Sequence, residues 1–99
     1  MAKIFDHDED GFLQWTCDNP NGFVANFKRH HDPNYVVLHK GCCHTMQRHR
    51  NIEWNPGGFT ERDFLKACST SVDDLDDYLA KKMRMKKPVF TKCCFFCRP

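Results

Sequence analysis

Seven cysteines within 99 residues constrain this chain more than any other feature of it. A chain of this length buries only about 60 to 65% of the surface its unfolded form exposes, so its core is thin and gains from a cross-link. The cysteine count is odd, which suits a closed disulfide framework poorly. The opening run Met1 to Asp10 turns acidic where a secretory signal would turn apolar, and no stretch approaches the roughly 20 apolar residues of a membrane helix. The expectation is a cytoplasmic protein without a membrane partner, in a compartment that keeps thiols reduced. Seven reduced thiols then point to metal ligation or to simple burial.

Cys94 and Cys97 form a C-x-x-C, the spacing at which two thiolates on a tight knuckle reach one tetrahedral Zn²⁺ at about 2.3 Å. No second C-x-x-C supplies the matching half, so the other ligands must come from separate places along the chain. Cys43 and Cys68 are the candidates, each placed where a strand is expected to end. The expected set is Cys43, Cys68, Cys94 and Cys97, a structural site that would add folding free energy directly. His39 and His44 are alternates, because neutral imidazole also binds zinc and both lie close to Cys43. The competing reading is that Cys43 and Cys68 are small buried hydrophobes. A redox use of the C-x-x-C would need a helix amino terminus at its first Cys, and only Arg98 and Pro99 follow Cys97.

Hydrophobic periodicity orders the rest. Glu9 to Thr16 reads as a short helix with Phe12 and Trp15 on one side, a strand being the alternative, and the run from Asp18 to Gly22 breaks it. Phe23 to Phe27 and Tyr35 to His39 read as an antiparallel pair, separated by a breaker at residues 31–34. Asn55-Pro56-Gly57-Gly58 makes a turn, and Phe64 to Cys68 a further strand. Ser71 opens a capping pattern, Val72, Leu75, Leu79 and Met83 follow helical spacing, and Pro88 ends the run. The expected fold is a single α+β domain over residues 1–99: a small antiparallel sheet packed on one main C-terminal helix, Val72 to about Met83, with a four-cysteine zinc-knuckle-like tail.

The formal charge is only +2 and the pI about 8.2, below the value of about 9 common in strongly nucleic-acid-binding domains. Basic residues are nevertheless clustered. Lys28, Arg29, Arg48, Arg50, Lys82, Arg84, Lys86 and Lys87 are the candidate contacts to DNA or RNA phosphates, with Trp54, Phe59 and Phe95 as stacking partners. Against this, the last turn of a helix welcomes Lys and Arg for its dipole alone, and charge runs often just solvate a face. The expected function is a small non-enzymatic, zinc-stabilised module that binds nucleic acid. A protein-interaction adaptor using exposed aromatics is the alternative. A metal-dependent hydrolase or nuclease would need a cleft gathering His39, His44 and a carboxylate such as Glu53 or Glu61. Asp6 to Gly11 imitates the opening of a calcium loop, but Cys17 stands where the bidentate Glu belongs.

The residues Gly22-Phe23-Val24-Ala25-Asn26, Tyr35 to His39, Cys43, Gly58 to Arg62, Lys66-Ala67-Cys68 and the final C-x-x-C together resemble a loose group of small uncharacterised bacterial cysteine-containing proteins. The resemblance runs from about Phe12 to Pro99 and brings no function with it. It implies that the cysteines at Cys43, Cys68, Cys94 and Cys97 are the shared ones, and it favours a helix over Glu9 to Thr16. The doubled cysteines Cys42 and Cys93 depart from its pattern.

Overall fold

In the computed structural model, residues 2–43, 60 and 63–94 are described. The Asp8 carboxylate accepts the Gly11 amide at 3.0 Å and so caps a helix, α1, over Glu9–Asp18, satisfying one of the amide groups a helix start leaves unpaired. The acidic run that imitates a calcium loop therefore serves as a helix start. A Cβ at Gly11 would meet the Asp8 carboxylate at 2.2 Å, so a larger residue there would displace the capping side chain. Ahead of the helix lies β1, Lys3–Phe5, too short to show a period in the sequence.

β2 spans Phe23–Lys28, β3 Val36–Lys40 and β4 Phe64–Ser69. The helix expected at the carboxyl side is α2, Val72–Met83, and a two-residue strand, β5, follows at Lys92–Cys93. The Ser71 side chain accepts the Asp74 amide at 3.3 Å. Asp73 and Asp74 fill the first turn of α2, and Lys81 and Lys82 lie in its last, the arrangement its dipole favours. Arg84 closes it in the left-handed region, with φ 54° and ψ 49°.

The strands form one sheet in the order β1-β4-β2-β3-β5. The expected β2–β3 pair is antiparallel, with Val24 opposite His39 and Ala25 opposite Leu38. β4 pairs antiparallel with both β2 and β1. The sheet is mixed rather than purely antiparallel, because β5 lies parallel to β3, with Leu38 opposite Cys93. A parallel neighbour requires a crossover rather than a hairpin, and the chain makes it through β4 and α2.

Side chains alternate between the faces of a strand, so the pairing fixes what each face carries. Ile4, Leu65, Ala67, Ala25, Phe27, Val36 and Leu38 share one face and pack with Leu75 and Leu79 of α2 and with Val89. Phe5, Cys68, Val24 and Val37 share the other and pack with Phe12 and Leu13 of α1, together with Cys43 and Cys94. The architecture is thus α+β, with the C-terminal helix on one face as expected and α1 as a second cover on the other. The zinc-knuckle tail at residues 95–99 lies outside the described residues.

Candidate metal centre

Register decides which cysteines can meet. On the α1 face one row runs across the sheet through Lys3, Cys68, Val24 and His39, on β1, β4, β2 and β3 in turn. β5 extends the row on the far side of β3: the Cys94 amide donates to Leu38 O at 2.8 Å, which sets Cys94 beside His39. At the end of β3 the chain turns, and the Cys43 amide donates back to Lys40 O at 3.1 Å. Gly41 makes that turn possible, its amide donating to Gly22 O at 2.8 Å, while a Cβ would meet Asn19 O at 2.3 Å.

The result is a buried group of three donors. The ligand atoms of His39, Cys43 and Cys94 all lie within 4.8 Å of one another, and the residues are 7%, 2% and 6% exposed. The two sulfurs are 3.9 Å apart. Two thiolates on one tetrahedral zinc, each about 2.3 Å from the ion, are separated by about 3.8 Å, so the sulfurs already stand at the spacing an ion requires. The separation is nearly twice a disulfide bond of about 2.05 Å.

His39 supplies the most telling atom. Its Nδ1 is buried with no hydrogen-bond partner among the described residues, a costly state for a polar group unless something else satisfies it. Burial, aided by the charge of Lys66, lowers its pKa to about 4, so the imidazole is neutral, the form that ligates metals. A neutral imidazole and two thiols form a donor set suited to Zn²⁺, whereas Ca²⁺ and Mg²⁺ prefer oxygen ligands.

Cys68 does not belong to this group. Val24 stands between it and His39 in the row, and two strand spacings of about 4.8 Å put the two positions about 10 Å apart. Of the expected four-thiolate set, Cys43 and Cys94 come together with the alternate His39, Cys68 is not a member of the group, and Cys97 and the alternate His44 lie outside the described residues. Cys68 is fully buried, and burial pushes its thiol up to about 12 against the pull of Lys66 and Lys3. It is a core thiol.

Lys66, which the sequence reading passed over, lies on the same face. It is 2% exposed, its Nζ donates to Asn26 Oδ1 at 2.6 Å, and Asn26 Nδ2 donates to the Tyr35 hydroxyl at 3.4 Å. Its ammonium stands 5.9 Å from the Phe12 ring centre and 5.6 Å from that of Phe64. Desolvation lowers its pKa to about 7, while Glu9 and Cys68 oppose the shift. Alternation along Phe64-Leu65-Lys66 assigns Lys66 to the face opposite Leu65, and only the presence of α1 makes that face interior.

The candidate nucleic-acid contacts are dispersed and partly committed. Arg29 donates to Asp6 Oδ1 at 2.5 Å and to Thr60 O at 2.8 Å. Lys28 Nζ lies 3.8 Å from the Asp32 carboxylate and 5.4 Å from the centre of the Tyr35 ring. Lys87 is paired with Asp77. Lys82, Arg84 and Lys86 are exposed at and beyond the end of α2, with Lys82 over the Tyr78 ring. Arg48, Arg50, Trp54, Phe59 and Phe95 lie outside the described residues, as do Glu53 and Glu61. Among the described residues no helix is long and apolar enough to cross a membrane. No family model, no curated protein and no solved structure matches the chain.

Proposed function

We propose that the protein is a zinc-stabilised binding module whose ion is held by His39, Cys43 and Cys94. The observation that carries this reading is the convergence of two thiols and an imidazole with an unsatisfied buried Nδ1. The C-x-x-C spacing makes Cys97 a candidate for the fourth position, and His44, adjacent to Cys43 in sequence, is the other. Four protein ligands make a closed, structural centre. Its contribution is then to the stability of a small domain rather than to bond-making chemistry.

Metal analysis of the freshly purified full chain tests this reading. About one equivalent of zinc per chain is expected, and a metal-free protein with unchanged thermal stability in added zinc would refute it.

For the partner we retain nucleic acid, approached through Lys82, Arg84 and Lys86. Their exposure next to a helix end supports this, while Arg29, Lys28 and Lys87 already have carboxylate partners on the surface. Retention of arbitrary single-stranded DNA or RNA should fall steeply between low and moderate salt. Failure to retain either at low salt rejects this partner, and a protein complex insensitive to salt would favour the adaptor reading.

A further inference from the structure

The Cys43 and Cys94 thiols also have the geometry of a pair that can be oxidised together. They come from segments 51 positions apart, yet their sulfurs lie 3.9 Å from each other in a buried setting. Each is fixed by a backbone hydrogen bond to β3, Cys43 to Lys40 and Cys94 to Leu38. Closing the gap to a disulfide length of about 2.05 Å takes a sulfur shift of about 2 Å. Cys42 and Cys93, the immediate sequence neighbours of the two buried thiols, are both exposed.

We infer that Cys43 and Cys94 form a redox-active dithiol that consumes a hydroperoxide and closes to a disulfide. One sulfur takes the terminal peroxide oxygen, the O–O bond breaks, and the alcohol or water leaves, giving a sulfenic acid. The second sulfur then attacks the first, the S–S bond forms, the S–O bond breaks and water departs. Two thiols and one hydroperoxide thus become one disulfide, one alcohol or water from the peroxide, and a further water. The two electrons pass from sulfur to peroxide oxygen.

That oxidation also expels the ion rests on the metal reading above; the dithiol step does not. With zinc bound, the two protons that its thiolates lack come from solvent, and a disulfide, no longer a thiolate pair, releases the metal. Cys68 is the internal contrast. It lies two strands away behind Val24, and its thiol stays protonated up to about pH 12, so it is a poor nucleophile for either step.

The test treats the full chain with hydrogen peroxide, once as zinc-loaded and once as metal-free protein, and maps disulfides by peptide mass after blocking remaining thiols. The expected product has lost about 2 Da, contains a Cys43–Cys94 cross-linked peptide and reverts with a dithiol reductant. It should form equally in a Cys42→Ser, Cys93→Ser double variant, whose substitutions fall on exposed positions. From the loaded protein, one ion should leave per disulfide formed. A Cys94–Cys97 linkage as the product, or sulfinic acid without any cross-link, overturns the inference even if zinc is found. A Cys43–Cys94 cross-link in a chain that never binds zinc upholds the dithiol and defeats the metal reading alone.

Discussion

Under α2 the sheet offers Ala25, Phe27, Val36, Leu38, Leu65 and Ala67, all apolar and all buried. Under α1 the same strands offer Lys66, Asn26 and His39 among Val24, Val37 and Cys68. The first face asks nothing of chemistry beyond the removal of apolar surface from water. The second buries an amine and an imidazole beside a half-buried amide, each of which costs free energy unless it finds a partner. Lys66 finds Asn26, whereas His39 Nδ1 finds none among the described residues. The contrast teaches that stability is concentrated on the α2 side, and that the α1 side is where an added ligand has something to gain.

The difference can be broken most directly by taking the metal away. With free zinc at a thousand times its dissociation constant, binding to the folded chain alone contributes about 4 kcal/mol. Chelation should therefore lower the thermal midpoint strongly, and hydrogen exchange should accelerate first at His39 and Cys94 rather than in α2. Equal acceleration in both places would erase the distinction between the faces.

On the α2 side, Leu79→Ala should cost about 3 kcal/mol in denaturant unfolding, because it leaves a cavity in a fully buried site. Its cost should be the same with and without zinc. A metal-dependent cost would show the two faces to be coupled.

Lys66 sharpens the comparison through pH. Its folded pKa, about 7, lies below its ordinary value of 10.5. Between those values the unfolded chain holds a proton that the folded chain does not, so unfolding takes up a proton and stability rises as pH climbs from about 7 toward 10.5. Below pH 7 both states are protonated, and the whole cost of burying the ammonium among Phe12, Phe64, Glu9 and Cys68 is felt. Lys66→Met should flatten that rise and stabilise the neutral protein by about 1 to 2 kcal/mol, the gain being reduced by the loss of its bond to Asn26. Comparing the slopes of stability against pH for the two proteins, both saturated with zinc, measures the effect.

The smallest effect is expected at the cap of α2. Ser71→Ala should cost about 1 kcal/mol, seen as a small shift in denaturant midpoint with zinc binding unaltered. A change in zinc affinity would mean that the cap acts across the sheet.

The elements legible in the sequence were those whose own residues carry the signal. Val72, Leu75 and Leu79 mark α2 by spacing, Ser71 marks its start, and the alternating and β-branched runs mark β2 and β3. β1 and β5 were not legible, because three and two residues hold too little pattern and owe their structure to β4 and β3. The centre was half legible. Cysteine spacing singled out Cys43 and Cys94, and proximity to Cys43 singled out His39 as an alternate, but choosing between His39 and Cys68 requires knowing that β2 lies between β3 and β4. That order follows from packing of the whole chain and leaves no local trace. The partners of Arg29 were hidden for a similar reason, since Asp6 and Thr60, which hold it, are remote in sequence.

The 51-position span between Cys43 and Cys94 has a mechanical consequence. An ion clasping both ends of that span would turn β4 and α2 into the contents of a closed lasso. Tension applied at the two termini would then cross from one sulfur to the other through the ion, leaving the enclosed helix slack. In a stretching experiment the metal-loaded molecule should lengthen less than its metal-free counterpart, by the contour of the lasso.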